Sequence, residues 1–349
     1  MKSLFQLLSL AGVVLATGQA FAQDTGTPYK VLDTTKVMGT GGIDYVLADN
    51  DGRRVYVPRG NQTFVFDLDK HNYIGSITNI GGHGVAVDTK SHHGISSSSP
   101  VGMFDTITMQ KIKNIEVTAR PDGILFEPFT GKVLILSHAS PSITLIDPAE
   151  GTVTGSIDVG GAMEQAQSDG KGHLYVDVED QNKIAVVDLK TMKVTAKYDL
   201  GEKGDGPAGL GLDIKNHILF AMCHSQNCVV LNADDGKILA TLPIGNGTDG
   251  GGFNPNTMEA FSSQGRDGNL SIIQEKSPTE FVAEPAVPTK AGAKTCSLDT
   301  KNNVIVVVCT ERATPAPGTP APATNAPAGE RPRGQRGGPG NLDVLFVGK

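Results

Sequence analysis

Residues Arg53–Ile77 read RRVYVPRGNQTFVFDLDKHNYIGSI. A β-rich run is followed by a short polar loop, a second apolar run ending in Asp67, a turn, and a third run. The pattern recurs as GKVLILSHASPSITLIDPAEGTVTGSI, GHLYVDVEDQNKIAVVDLKTMKVTAKY and HILFAMCHSQNCVVLNADDGKILATL. Weaker copies are HGISSSSPVGMFDTITMQKIKNI and MEAFSSQGRDGNLSIIQEKSPTEFV. The polar residue closing the middle run falls at Asp67, Asp105, Asp147, Asp188, Asn232 and Gln274, in steps of 38, 42, 41, 44 and 42 residues. Internal repetition at a period of about 40–45 residues is a mark of propeller architectures.

A second anchor precedes each copy and closes one further apolar run: Asp49, Asp88, Glu127, Asp169, Asp213, Asn254 and Asp299, at intervals of 39 to 45 residues. Seven anchors and four short strands per unit define an all-β, seven-bladed β-propeller of four-stranded blades. The last unit supplies three strands only, through NNVIVVVC and NLDVLFVG. The run YKVLDTTKVM (Tyr29–Met38) resembles a fourth strand, so the N-terminal strand is expected to close the last blade and remove a sheet edge. Between the last two strands lies Ala313–Gly340, an insertion rich in Pro, Ala and Gly that carries Arg331, Arg333 and Arg336. Its composition predicts a disordered or polyproline-like excursion.

At the N-terminus, Lys2, an apolar run and Ala20-Phe21-Ala22 before Gln23 read as a secretory signal peptide over residues 1–22. The single propeller domain is then expected over 23–349, in a periplasm or outside the cell. No run is long enough for a membrane span. The formal charge of −7 argues against a nucleic-acid partner, which needs a basic face. A monomer is expected. The 43 glycines and absence of Trp fit a turn-rich β protein.

VYVPRGNQTFVFDLDKHNYIGSITNIGG and its sisters resemble the YVTN-type propeller repeat, although every copy departs from the namesake tetrapeptide. Over all seven units the chain is similar to exported YncE-like proteins. The resemblance implies a propeller and binding roles, with single-stranded DNA suggested for some members. Fold likeness alone does not specify function.

Propellers gather ligands at one mouth of the central channel, where the loops entering the inner strands meet those joining the second and third strands. The entry loops supply Asp44, His83, Arg120, Asp122, Glu164, Gln165, Asp205, Asp249 and Lys294 as the candidate ligand-binding set. The outer loops are expected to add His92-His93, Glu179-Asp180 and Glu311-Arg312, with His138, His224 and Arg266 at the rim. The expected activity is binding of a small-molecule or macromolecular ligand without a cofactor. The alternative is a lactonase-like, metal-assisted hydrolase that uses Asp44, His83, Glu164 or Asp249 as ligands. Haem held by His83 or His138 and Trp-dependent quinone chemistry are disfavoured, and no nucleophile elbow is present. Cys223 and Cys228 flank a four-residue loop, and Cys296 and Cys309 flank a turn. Each pair is a candidate cross-strand disulfide in an oxidising compartment, with free buried thiols as the alternative. Two cysteines and His224 are too few donors for a closed metal site.

Overall fold

A computed structural model describes residues 29–118, 120–139, 142–312 and 338–349. The expected signal peptide and nearly all of the insertion, including its three arginines, lie outside the described residues. These residues form seven antiparallel sheets, and the sheets are the seven blades. Their inner strands are Leu47–Asp49, Val85–Asp88, Pro121–Glu127, Met163–Ser168, Pro207–Asp213, Thr248–Asn254 and Thr295–Asp299, numbered here as blades 1 to 7. Blade 5 is representative: its second, third and fourth strands are Ile218–Cys223, Asn227–Asn232 and Ile238–Pro243. Blade 6 adds a short fifth strand, Val287–Pro288, against its third.

The core lies between blades. On the second strand of blade 3, Leu134 and Leu136 pack with Leu174 and Val176 of blade 4, while Val133 and Ile135 face Ile95 and Met103 of blade 2. Middle strands are therefore apolar on both faces and read as continuous runs. Fourth strands, such as Thr152–Asp158, stay largely exposed.

The repeated anchors have a common chemistry. Each carboxylate or amide oxygen accepts a backbone N–H two or three residues on, which ties the turn between the first two strands. Examples are Asp88 from Lys90 and Ser91 (both 3.1 Å), Glu127 from Phe129 (2.9 Å), Asp213 from Lys215 (2.9 Å) and Asp299 from Lys301 (3.1 Å). Asp169 does the same for Lys171 (2.7 Å), but it sits one residue beyond the strand that ends at Ser168. The second series behaves likewise: Asp105 accepts from Thr108 at 2.7 Å and Asn232 from Asp234 at 2.8 Å. Gln274 is the exception. Its amide instead donates to the Met258 carbonyl at 2.8 Å, within a strand that runs on to Ser277.

The ring closes as the termini suggested. Lys30–Gly39 pairs with Gly340–Gly348 along its length, from Lys30 opposite Gly348 to Gly39 opposite Gly340. Gly340 thus belongs to the final strand rather than to the insertion. Blades 1 and 7 are also locked at the opposite end of the channel from the mouth. There Arg53 grips both oxygens of buried Asp299, at 2.9 and 2.7 Å, while reaching exposed Asp69.

Three sequence expectations need correction. His92 and His93 lie at the turn between the first two strands of blade 2, away from the mouth; the outer loop of that blade is Ser97–Pro100. All four cysteines are free and buried. Cys228 stands opposite Met222 and Cys223 opposite Asn227. That one-residue offset sends the two thiols to opposite faces of blade 5. Cys296 faces Val307, while Thr295 faces Val308, so Cys309 is displaced diagonally from Cys296. Such diagonal positions lie about 7–8 Å apart, too far for a bridge.

Two outcomes follow. Arg53→Ala strips the partner from a buried carboxylate and should cost about 3 kcal/mol in denaturant unfolding. Burial, with Asp213 alongside, pushes Glu275 up to about 7 despite a 2.7 Å hydrogen bond from Asn216. Glu275 therefore holds its proton in the fold at pH values where the unfolded chain has lost it. Its stabilisation is present below the ordinary Glu value and lost as pH rises through about 7. Glu275→Gln should match the parent near pH 4 and exceed it near pH 8 by about 1 kcal/mol or more.

Candidate functional site

The mouth is shaped by irregularities in the inner strands. Pairing with the second strand slips between Pro121 and Ile124, between Met163 and Ala166, between Pro207 and Gly209, and between Thr248 and Gly251. The residues inside these slips include Asp122, Glu164, Gln165 and Asp249. A bulge bends the strand and re-aims its side chains, here toward the channel. Glycine lets the strands close in: a Cβ on Gly123 would lie 2.4 Å from the Glu164 carbonyl oxygen.

The result is a cup of about 820 Å³. Its polar wall is formed by Asp44, His83, Asp122, His138, Glu164, Glu179, His224, Asp249 and Lys294. Five carboxylates thus face one ammonium and three imidazoles. Lys294 donates to Asp44 at 2.8 Å and also contacts Asp249. His83 Nδ1 lies 2.6 Å from Asp44 and 3.5 Å from Asp122. His138 spans Glu164 through Nδ1 (3.1 Å) and Glu179 through Nε2 (3.5 Å), and His224 Nε2 meets Glu179 at 3.2 Å.

These contacts pull the titrating groups apart. Burial pushes Asp122 up to about 6 against the opposing pull of His83. Burial does the same to Asp249, although Lys294 opposes it. Burial would also raise Asp44, but His83 and Lys294 outweigh it and hold that carboxyl below the usual range. The hydrogen bond to Glu164 raises His138, and that to Glu179 raises His224. Lys294 is raised too, because Asp249 and Asp44 overcome its burial.

Two members of the candidate set are structural braces or neighbours of the cup. Gln165 is spent crossing the channel: it donates to the Gly251 carbonyl (2.9 Å) and accepts from Leu210 N–H (3.0 Å), tying blade 4 to blades 5 and 6. Arg266 lines a side cavity of about 400 Å³ that shares His224, Asp249 and Lys294 with the cup. Arg120 and Asp205 are exposed and do not line it. Glu311 joins Lys36 and Lys290 instead.

Two further residues matter here. Tyr45 reaches across the channel from blade 1, and its hydroxyl donates to Glu164 Oε1 at 2.9 Å. Together with Gln165 it bars the axis between the cup and a second cavity of about 420 Å³ below. Asp177 is fully buried between blades 4 and 5 and accepts no hydrogen bond among the described residues. Burial, then Glu164 and Glu179, drives its carboxyl well above the usual range.

No family model matches the sequence, and no curated protein does. Solved structures match the fold. The WD40 repeats of RRP9 align with a TM-score of 0.68 and 9% identity over 90% of this chain and 97% of that one. A chain of the mitotic checkpoint complex gives 0.69 and 13%, over 86% and 95%. Hydrazine synthase of Kuenenia stuttgartiensis gives 0.64 and 14%, over 77% and 92%. The chain is a β-propeller, and at these identities the likeness extends to architecture alone. No helix among the described residues is long and apolar enough to cross a membrane.

Tyr45→Phe should leave Glu164 without its cross-channel donor. Net loss of a hydrogen bond to a charged group is worth about 1.5–3 kcal/mol, which chemical unfolding of the variant and parent would read.

Proposed function

We propose that the protein is an exported, YncE-like binding module whose ligand enters the cup. One observation carries this reading: groups from all seven blades, on inner strands and in loops of both kinds, converge on one concave, charged cavity of about 820 Å³. That size falls within the range of small-molecule sites. The excess of carboxylates over fixed cations favours a polar ligand bearing positive charge. Such a ligand would replace part of the hydration that Asp122 and Asp249 lose on burial. The propeller likeness is compatible with an interaction module, and export rests on the N-terminal pattern.

A hydrolase acting on lactones or esters is the second reading. It is favoured by the imidazole–carboxylate pairs around His83 and His138, which could orient a nucleophilic water.

The test is a thermal-shift survey of small polar compounds grouped by charge, using the chain from Gln23. Cationic compounds should raise the melting temperature, consistent with about 2.7 kcal/mol of stabilisation at a hundredfold excess over Kd. Asp249→Asn combined with Glu164→Gln should abolish the shift. Equal shifts in parent and variant, or no shift with any class, would sink the cup as the ligand site. Turnover of lactone or ester substrates, lost in His138→Ala, would move the reading to the hydrolase.

A further inference from the structure

We propose that the cup binds divalent transition-metal cations at two neighbouring positions, one formed by Asp44, His83 and Asp122, the other by His138, Glu164 and Glu179. The inference rests on the cup being the ligand site and names the chemistry of what it holds.

In each triad, one ligand atom from every residue lies within 4.8 Å of the other two. Each set offers one imidazole nitrogen and two carboxylate oxygens. That mixture suits Mn²⁺, Fe²⁺, Co²⁺, Ni²⁺ or Zn²⁺ better than the all-oxygen shells of Ca²⁺ and Mg²⁺, and it lacks the thiolates that select softer ions. Three protein donors leave coordination positions open toward the cup, as in metal sites that accept water or a small ligand.

The donors are held in place by other side chains. Lys294 donates to Asp44, Tyr45 to Glu164, and His224 contacts Glu179. Partners of this kind orient ligating groups and tune their basicity.

Asp122 is the independent sign of an occupant. It is 7% exposed, lines the cup, and accepts no hydrogen bond from any described residue. The basic nitrogen that pairs with it is His83 Nδ1 at 3.5 Å, and that atom already lies 2.6 Å from Asp44. A buried carboxylate without a close partner is costly, and a cation between Asp122, His83 and Asp44 would remove that cost.

The experiment uses tag-free mature protein stripped with a chelator, then titrated with Zn²⁺, Mn²⁺ and Co²⁺ by calorimetry. Co²⁺ titration is also followed by visible absorption. Two equivalents are expected. Asp122→Asn should remove one and Glu179→Gln the other, each weakening that step at least tenfold, and the double variant should bind none. Asp234→Asn is the control, because it breaks an exposed His217–Asp234 pair on the protein surface and should change nothing. Absence of binding below about 1 mM, binding unaltered in the cup variants, or loss in the control would overturn the proposal. A single equivalent lost in either cup variant would overturn the two-position arrangement. Glu179 has a quarter of its side chain exposed, so its variant tests the site even where Asp122→Asn folds poorly. Charged organic ligands that bind while metals do not would leave the cup reading standing and end this one.

Discussion

The slipped pairing at the mouth end of the inner strands is the constraint on which the site depends. A regular inner strand would alternate its side chains between the two faces of its blade. Extra residues in blades 3, 4 and 6 turn Asp122, Glu164 and Asp249 out of that alternation and into the channel. The local loss of ladder hydrogen bonds is offset by contacts from other blades. Tyr45 supports Glu164, Lys294 supports Asp249, and Gln165 replaces missing backbone partners on Leu210 and Gly251. The placement of these three carboxylates is therefore the consequence of one backbone device used in blades 3, 4 and 6.

That arrangement concentrates like charge. Asp44 and Glu164 add to burial in raising Asp122 and Asp249, and all four carboxylates are at least partly buried. A fold selected for stability alone would put fewer carboxylates in one dehydrated space. Sites of function commonly carry such a cost. Asp177, buried without a hydrogen-bond partner among the described residues beside the same cluster, extends it into the wall between blades 4 and 5.

Much of the architecture was legible because its signals are local. An anchor oxygen that ties its own turn recurs at readable spacing, and continuous apolar runs mark the middle strands as buried on both faces. The cup was legible in part: Asp44, His83, His138, Glu179, His224 and Lys294 come from the predicted loops, whereas Asp122, Glu164 and Asp249 lie in slipped stretches of the inner strands themselves. What escaped depends on the ring. Tyr45 sits in an apolar-looking run, IDYVLAD, and only closure brings it within reach of blade 4. Gln165 follows Glu164 in sequence yet serves as a brace, a difference visible only in its distant backbone partners. The cysteine pairs and His92-His93 failed for another reason: a displacement of one or a few residues in register moves a side chain to the other face or the other end of its blade.

The closure of blade 7 also sets an order of events in time. The strand beginning at Lys30 precedes every blade in the chain, and its partner, Gly340–Gly348, follows the other six. Until Gly340–Gly348 is made, that early strand lacks its sheet partner and the ring has a gap between blades 6 and 1. Local hairpins can form as they emerge, but the longest-range pairing must wait. A chain emerging from its N-terminal side would therefore become a closed ring only once Gly340–Gly348 had arrived.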